Sequence, residues 1–579
     1  MQNHDSLPAD LASLKETQIH THGFLPIAAA YCRRLGLVEL VNSLIPTQME
    51  LKPGLVVQAM VLDVLSGRNP LYHVENFLAR QDIPLLLGEE VNAHAFNDTN
   101  LARSLDVLFE GGTSKIVTEL GLRVAATFQL DLSSVSYDTT STNVWGEYRM
   151  CENEEPPKGP VITYGYSKDH QPQLKQFMTE LLCVDRGVPI FGRTLDGNTS
   201  DKDSNHEMLT RISSLLASHG LGSGAFVYVA DSAMVTGPNL KALGSNHFIS
   251  RLPATYDACK NTIADAVDAR NWVAIGSLTE HPAVKSRSNA EYKAYETKVV
   301  LQGIPYRAVV VNSSAYDKRR QKRLEKSITC SADVIAKKLK HIQKIYFCEA
   351  DAQKAQSQAE KLSDSLHRVS VTIEPVEVRQ RGRPSRNNSA PSVTRYQLSW
   401  QLIEKTEGIQ RERDLAGCFV MITNVPATGE GSLDSAGVLR TYKGQYSIES
   451  DFAFLKDPMV VNDLFLKTPS RIDALGMILI IALIVWRIME RSMRLYLKQT
   501  KTTVPGWDNK STSRPTSYMV TKVFFGIQAI LFKDQRFFLK EPTDRQFAFL
   551  SALGLDSQVF LDPLCQCTPI IPENMVAKR

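Results

Sequence analysis

The sequence predicts an α/β protein: a mixed sheet with flanking helices, entered through a helical N-terminal region and interrupted by a mixed insertion. Three observations predict it. Residues 1–127 carry apolar positions at helical spacing. From Phe128 the texture changes to short β-branched and aromatic runs, with one helical stretch between them. Strands in succession, then a helix and another strand, suit a mixed sheet. The chain has 579 residues, room for three or four domains at roughly 100–200 residues each. With 43% hydrophobic and 22% charged residues it is an ordinary globular chain, which excludes disordered and collagen-like classes. The net charge of +4 is mild, so any nucleic-acid footprint must be local.

In residues 1–127, periodic apolar positions recur in Leu25–Leu44, Leu55–Leu65 and Leu101–Leu120, with breakers at Lys52-Pro53-Gly54 and Gly67-Arg68-Asn69-Pro70. A helical DNA-end-binding domain and a plain helical scaffold are both open readings. Residues 128–254 form the first part of the core. Strands are expected at Val135–Asp138, Val161–Tyr166, Gly187–Leu195, Phe226–Asp231 and Asn246–Leu252, and a helix at Ser204–Ser218. Phe177–Val184 reads as a strand or a short helix. Residues 255–438 form a mixed insertion, with strands near Lys298–Leu301 and Tyr306–Val311, a helical charged stretch over Tyr316–Leu366, a polar loop at Arg379–Ser392 and a returning strand at Cys418–Asn424. Residues 439–579 complete the core with helices. Ala474–Trp486 is apolar throughout, but its 13 residues fall short of the roughly 20 that span a bilayer, so a buried core helix is expected. Nine scattered cysteines without a CxxC pair read as reduced thiols, and the N-terminus has no basic, apolar leader. A cytoplasmic protein without a membrane partner is expected.

Three acids stand out. Asp138 closes the run VSYD, Asp231 closes FVYVAD, and Glu449 lies in YKGQYSIESDFAFLKDP. Carboxylates at the ends of core strands project to the sheet edge, where clefts form. Three hard oxygen donors without Cys or His suit Mg²⁺ or Mn²⁺ rather than zinc. On a helix turning about 100° per residue, Tyr442, Gln445, Glu449 and Lys456 fall within an arc of about 60°, with Ile448, Phe454 and Leu455 opposite. That face could meet a phosphate-bearing ligand or simply water. Gly444 leaves open a helix that starts only after it, and Pro458 limits its end. Lys168 and His170, in SKDH, are polar groups at the edge of the second strand, for which an exposed turn is the simpler reading.

The spacing Tyr442-x₂-Gln445-x₃-Glu449-x₆-Lys456 resembles the Y-x₂-R-x₃-E-x₆-K signature of IS4-type bacterial transposases, and Asp138, Asp231 and Glu449 resemble their DDE triad. The blocks Gly165–Asp201 and Val229–Leu240 are similar to the IS1634-like branch. The resemblance implies an RNase H-like catalytic core interrupted between the second Asp and the Glu. It implies a DDE transposase that cleaves and joins DNA with two Mg²⁺ ions (Mn²⁺ as substitute), Asp138 bridging and Asp231 and Glu449 flanking. Lys456 would hold a DNA phosphate and Tyr442 the backbone or a base. Gln445 stands where the signature has Arg, and so supplies no charge. Expected partners are double-stranded DNA, as terminal inverted repeats and target, and a second protomer or higher oligomer. The expected location is the nucleoid of a prokaryotic cell.

Two basic segments bear on DNA. Lys318–Lys326, beginning Lys318, Arg319, Arg320, is either a solvated helix face or a phosphate-contacting surface. Arg381-Gly382-Arg383-Pro384 resembles an AT-hook, whose Arg side chains would enter an A·T minor groove, though a flexible basic loop spells the same letters. Two other functions compete with strand transfer. One is a catalytically inactive DNA-binding relative. The other is an unrelated two-carboxylate hydrolase, disfavoured by five Trp residues and by basic loops that a neutral sugar does not need.

Overall fold

The structure is a computed structural model. It describes residues 17–146, 148, 158–218, 220, 222, 224–279, 289–315, 318–379, 392–457, 466–507 and 510–572, without the side chains of 218 and 318–320. The chain forms two compact units, residues 1–250 with 441–579, and residues 251–440.

The first unit begins with a short strand, β1 (Gln18–Thr21), which pairs antiparallel with Gln528–Phe532 near the other end of the chain. Seven helices follow: α1 (Leu25–Arg34), α2 (Leu37–Leu44), α3 (Pro53–Ser66), α4 (Leu71–Leu78), α5 (Ile83–Leu87), α6 (Asp98–Glu110) and α7 (Thr113–Phe128). Two stretches that read as single periodic segments are each two helices. Gly36 at φ +57° separates α1 from α2, and Gly112 at φ +92° separates α6 from α7; only glycine takes such angles without cost. Lys52-Pro53-Gly54 starts a helix rather than breaking one, because Pro53 occupies the first turn, where its missing N–H costs nothing. Gly121 of α7 has no room for a side chain: a Cβ there would stand 2.2 Å from the carbonyl oxygen of Ile190. Gly121→Val is therefore expected to lower stability by about 1–3 kcal/mol in a denaturant melt; an unchanged midpoint would show that helix and strand can part freely.

The sheet of this unit has five strands, β2 (Ser134–Val144), β3 (Lys175–Val184), β4 (Val188–Leu195), β5 (Val227–Ala230) and β6 (His247–Arg251), in the spatial order β4-β3-β2-β5-β6. β2, β3 and β4 run antiparallel, whereas β5 and β6 run parallel to β2. α8 (Asp201–Ser218) and α9 (Gly237–Ala242) lie in the crossovers. Phe177–Val184, open between strand and helix, is strand. Val161–Tyr166 is not: it makes one isolated bridge, Thr163 to Gln176. Ile162 is buried against Val144, Phe177 and Ile472, but Tyr164 and Tyr166 are exposed, so the segment is anchored at one residue and does not continue as a strand.

The second unit holds four antiparallel strands in the order β13-β9-β8-β7 and a smaller antiparallel sheet in the order β10-β12-β11. Their ranges are β7 (Val273–Ser277), β8 (Glu291–Leu301), β9 (Ile304–Ser313), β10 (Ile345–Tyr346), β11 (His367–Arg379), β12 (Ser392–Glu404) and β13 (Cys418–Thr423). Four helices accompany them: α10 (Asp257–Ala269), α11 (Lys318–Leu339), α12 (Glu349–Glu360) and α13 (Thr406–Ala416). Ile335, Leu339, Ala352, Ala355 and Val369 form a core of their own, sealing α11 and α12 onto the smaller sheet.

The chain returns through α14 (Ser435–Gly444) and α15 (Tyr446–Leu455), then α16 (Pro469–Thr500), α17 (Ser517–Val523) and α18 (Asp544–Ala552). The single helix expected over Tyr442–Lys456 is two helices. Gly444 is a poor helix former, and the ladder tightens there, with Gln445 N–H donating to the Tyr442 carbonyl. α16 carries the apolar run as the central helix of the first unit, against α3, α6, α7 and β4. Among the described residues it is the one helix long and apolar enough to cross a membrane, and 94% of its most apolar window is buried in the protein. Packing thus already satisfies its apolar face. Among the described residues the cysteines are free thiols.

Candidate active site

Asp138 and Asp231 owe their proximity to strand register. In the parallel pair β2–β5, Ser136 stands opposite Val229. Asp138 lies two residues further along β2, and Asp231 lies two residues past Val229, just beyond the end of β5 and still extended, so the two acids fall on one face at neighbouring positions. Tyr137 and Tyr228 stack on the opposite face with ring centroids 6.1 Å apart. There Tyr137 donates to Glu180 at 2.5 Å, and Glu180 pairs with Arg193, which reaches Glu207 of α8 at 2.7 Å. This buried network fixes β2 from behind. Asp231 is held in front: its carboxylate accepts from the Ala233 N–H at 3.0 Å, and its carbonyl from Ser250 Oγ at 2.7 Å.

Two residues complete the cluster. Lys168 Nζ lies 3.7 Å from Asp138 Oδ1 and 3.1 Å from Asp201 Oδ1, and donates to the carbonyl and hydroxyl oxygens of Thr139. Thr139 Oγ1 in turn donates to Asp201 at 2.5 Å. Burial, opposed by Lys168 and reinforced by the negative charge of Asp231, pushes the Asp138 carboxyl up to about 7. Burial likewise raises Asp231, against the Ala233 N–H and with help from Asp201. The cluster thus holds three carboxyl groups against one lysine.

The third acid sits differently. Glu449 is exposed in the first turn of α15. One turn earlier, Gln445 Nε2 reaches the carbonyl of Tyr137 at 3.5 Å, so α15 approaches β2 beside Asp138. Lys456 is held at 2.8 Å by both oxygens of Asp169, next to Lys168. Tyr442 is half-buried near the end of α14. His170 is exposed in its turn, at φ +58°. Among the described residues no three His, Cys, Asp or Glu side chains are grouped closely enough to hold a metal ion by themselves, so Asp138, Asp231 and Glu449 do not form a ready cage. Glu449 stands exposed on α15, whereas Asp138 and Asp231 are half-buried. A Mg²⁺-type ion needs no such cage, because one or two carboxylates with waters and substrate phosphates commonly hold it. Asp138 and Asp231 fit that role by donor chemistry and by their neighbouring positions.

Lys168 reads in the sequence as a turn residue, and Asp201 draws no attention because an acid in the first turn of a helix is ordinary capping chemistry. Their partners lie tens of residues away, and only the folded sheet joins them. Arg381 and Arg383 lie outside the described residues. Lys318, Arg319 and Arg320 open α11 with side chains outside the description, while Lys322, Arg323 and Lys326 of the same helix are exposed.

Residues 17–122 match a family model described as "Domain of unknown function (DUF4277)". The match covers α1 to α6 and most of α7 and ends before the first candidate acid. No curated protein matches the chain.

Proposed function

We propose that the protein is a DDE transposase of the IS4-type, resembling the IS1634-like branch, acting on the ends of its own insertion element. The observation that carries this reading is the register of β2 and β5, which sets Asp138 and Asp231 side by side on one face. The strand order β4-β3-β2-β5-β6, three antiparallel strands followed by two parallel to β2, supports an RNase H-like core. The match over 17–122 adds support, since that domain occurs in transposase-like proteins.

In this reading Asp138 and Asp231 would hold Mg²⁺ or Mn²⁺, and Glu449 would join them as the third ligand. Such ions would supply stabilisation of the attacking and leaving oxygens of the phosphodiester. Lys168 supplies a fixed positive charge beside the acids, and Asp201 with Thr139 holds its ammonium in place. Lys456 exchanges Asp169 for a DNA phosphate. Partners are double-stranded DNA and a second protomer or higher oligomer, in a cytoplasmic, nucleoid-associated setting.

The test is strand cleavage of linear DNA carrying the sequences that flank the coding region, with Mg²⁺ or Mn²⁺, with and without chelator, beside Glu449→Ala. Metal-dependent cuts at the repeat boundary, lost in Glu449→Ala, are expected. One observation favours a second reading, a DNA-binding relative that does not cut: Gln445 brings no charge and its amide faces the Tyr137 carbonyl. Specific binding without cleavage in either metal would select it, and Gln445→Arg would then be the variant to assay.

A further inference from the structure

α16 carries a second feature that the acids do not use. Arg487, Arg491, Arg494 and Lys498 recur at intervals of four, three and four residues, which places them in one stripe of about 60° on the helix. They line a cavity of about 360 Å³, together with Arg186 from the turn between β3 and β4. Asp185 and Arg186 both sit at positive φ, +42° and +68°, in that tight turn.

Five cations therefore meet three carboxylates in this cavity. Two of the carboxylates, Asp185 and Glu490, serve as braces. Asp185 binds Arg491 at 2.6 Å, while the carbonyls of Phe128 and Gln129 take two more of its N–H groups. Glu490 braces Arg494 at 2.7 Å and Arg487 at 3.3 Å. Arg487 is also held by the buried Asp451, and Arg494 also donates to the Pro515 carbonyl; each guanidinium has five N–H donors, so some remain to serve. Burial lowers the Arg494 pKa, and the charges of Arg514, Arg487 and Arg186 add to the effect against Glu490. Arg186 and Lys498 are exposed at the mouth.

We propose that this cavity is a binding site for a phosphate group, supplied either by a DNA backbone or by free phosphate. The fork geometry of the guanidinium suits a phosphate's paired oxygens. The added negative charge relieves the repulsion among the arginines, and the volume admits a phosphate with its ester substituents. The site does not depend on the strand-cleavage reading, and only the DNA source draws on it.

The test uses the full-length protein in chelating buffer, so that metal-dependent chemistry cannot contribute. Inorganic phosphate is titrated by calorimetry, and a DNA duplex is titrated separately over a range of salt concentrations. Wild type is compared with Arg186→Ala/Lys498→Ala, with Arg494→Gln, and with Lys241→Ala as a distant exposed control; thermal melting verifies folding of each. Phosphate binding that weakens about tenfold or more in both pocket variants, and not in the control, is the expected result. If DNA affinity falls in parallel and its salt slope drops by about two in the double variant, the phosphate comes from DNA. If DNA binding is unchanged while phosphate binding is lost, the site takes free phosphate. Absence of phosphate binding by the wild type, or binding that the pocket variants leave intact, overturns the proposal. Failure of strand cleavage would touch only the function proposed above, because this binding is read without metal.

Discussion

Asp138→Asn is expected to reduce metal-dependent strand cleavage by about a thousandfold or more, since two-metal stabilisation contributes several kcal/mol and each 1.36 kcal/mol is about tenfold in rate. DNA binding should remain, because the substitution removes no basic residue. The same substitution should not destabilise the fold. Burial holds the Asp138 carboxyl at about 7, above its value of about 4 in an unfolded chain. The folded state therefore binds the proton more tightly, and its stability falls as pH rises from about 4 to about 7. Asn carries no such proton. In metal-free buffer the midpoint difference between Asp138→Asn and wild type should widen in favour of the variant across that window. A variant that melts earlier than wild type at pH 7 would mean that the carboxylate braces the sheet. Retained cleavage would remove Asp138 from the catalytic role.

Arg536→Ala should cost about 3–5 kcal/mol of stability, because it leaves a buried carboxylate without its counter-charge. Asp82 is almost wholly buried, and Arg536 grips both its oxygens, Nε at 2.6 Å and Nη2 at 2.8 Å. Asp82 also accepts the Leu85 N–H at the start of α5, so the loss would spread into the helix. Burial alone would raise the Asp82 pKa; the hydrogen bond and charge of Arg536 outweigh it and hold the carboxyl below its usual range. The stabilisation from this pair is therefore complete above about pH 4 and fades as the pH falls further. Replacing the two residues together, Asp82→Asn with Arg536→Met, should recover much of the loss in equilibrium denaturation. A single variant as stable as wild type would show that water already reaches the pair.

The parts of the fold that the sequence discloses are those whose cause is local. Phe226–Asp231 reads as a strand because β-branched and aromatic residues crowd into six positions, and β5 lies there. Ala474–Trp486 reads as a core helix because it is apolar all round and too short to span a bilayer. The breaks at Gly36, Gly112 and Gly444 leave a weaker mark, since a glycine inside a periodic stretch can be tolerated as well as interrupt it. The site divides in the same way. Asp138 and Asp231 are visible as acids closing strands. Lys168 is not, because its meaning comes from Asp138 and Asp201, approached across the edge of a sheet. Nor can periodicity reveal that Lys456 is already engaged by Asp169 or that Glu449 faces outward. Such pairings depend on register and on how α15 approaches β2, and neither leaves a mark in the local pattern.

The position of α16 has a consequence for how the protein is made. Its apolar surface covers α3, α6, α7 and β4, all of which leave the ribosome long before Pro469 does. At about 5–20 residues per second, the stretch from Leu195 to Thr500 takes some tens of seconds to synthesise. Throughout that interval the nascent sheet and helices have no cover for the face that α16 will occupy. A growing chain in that state is a natural client for a holding chaperone. A message truncated before Pro469 would yield a product that cannot close its own interior, which the cell would aggregate or degrade rather than accumulate as a folded fragment.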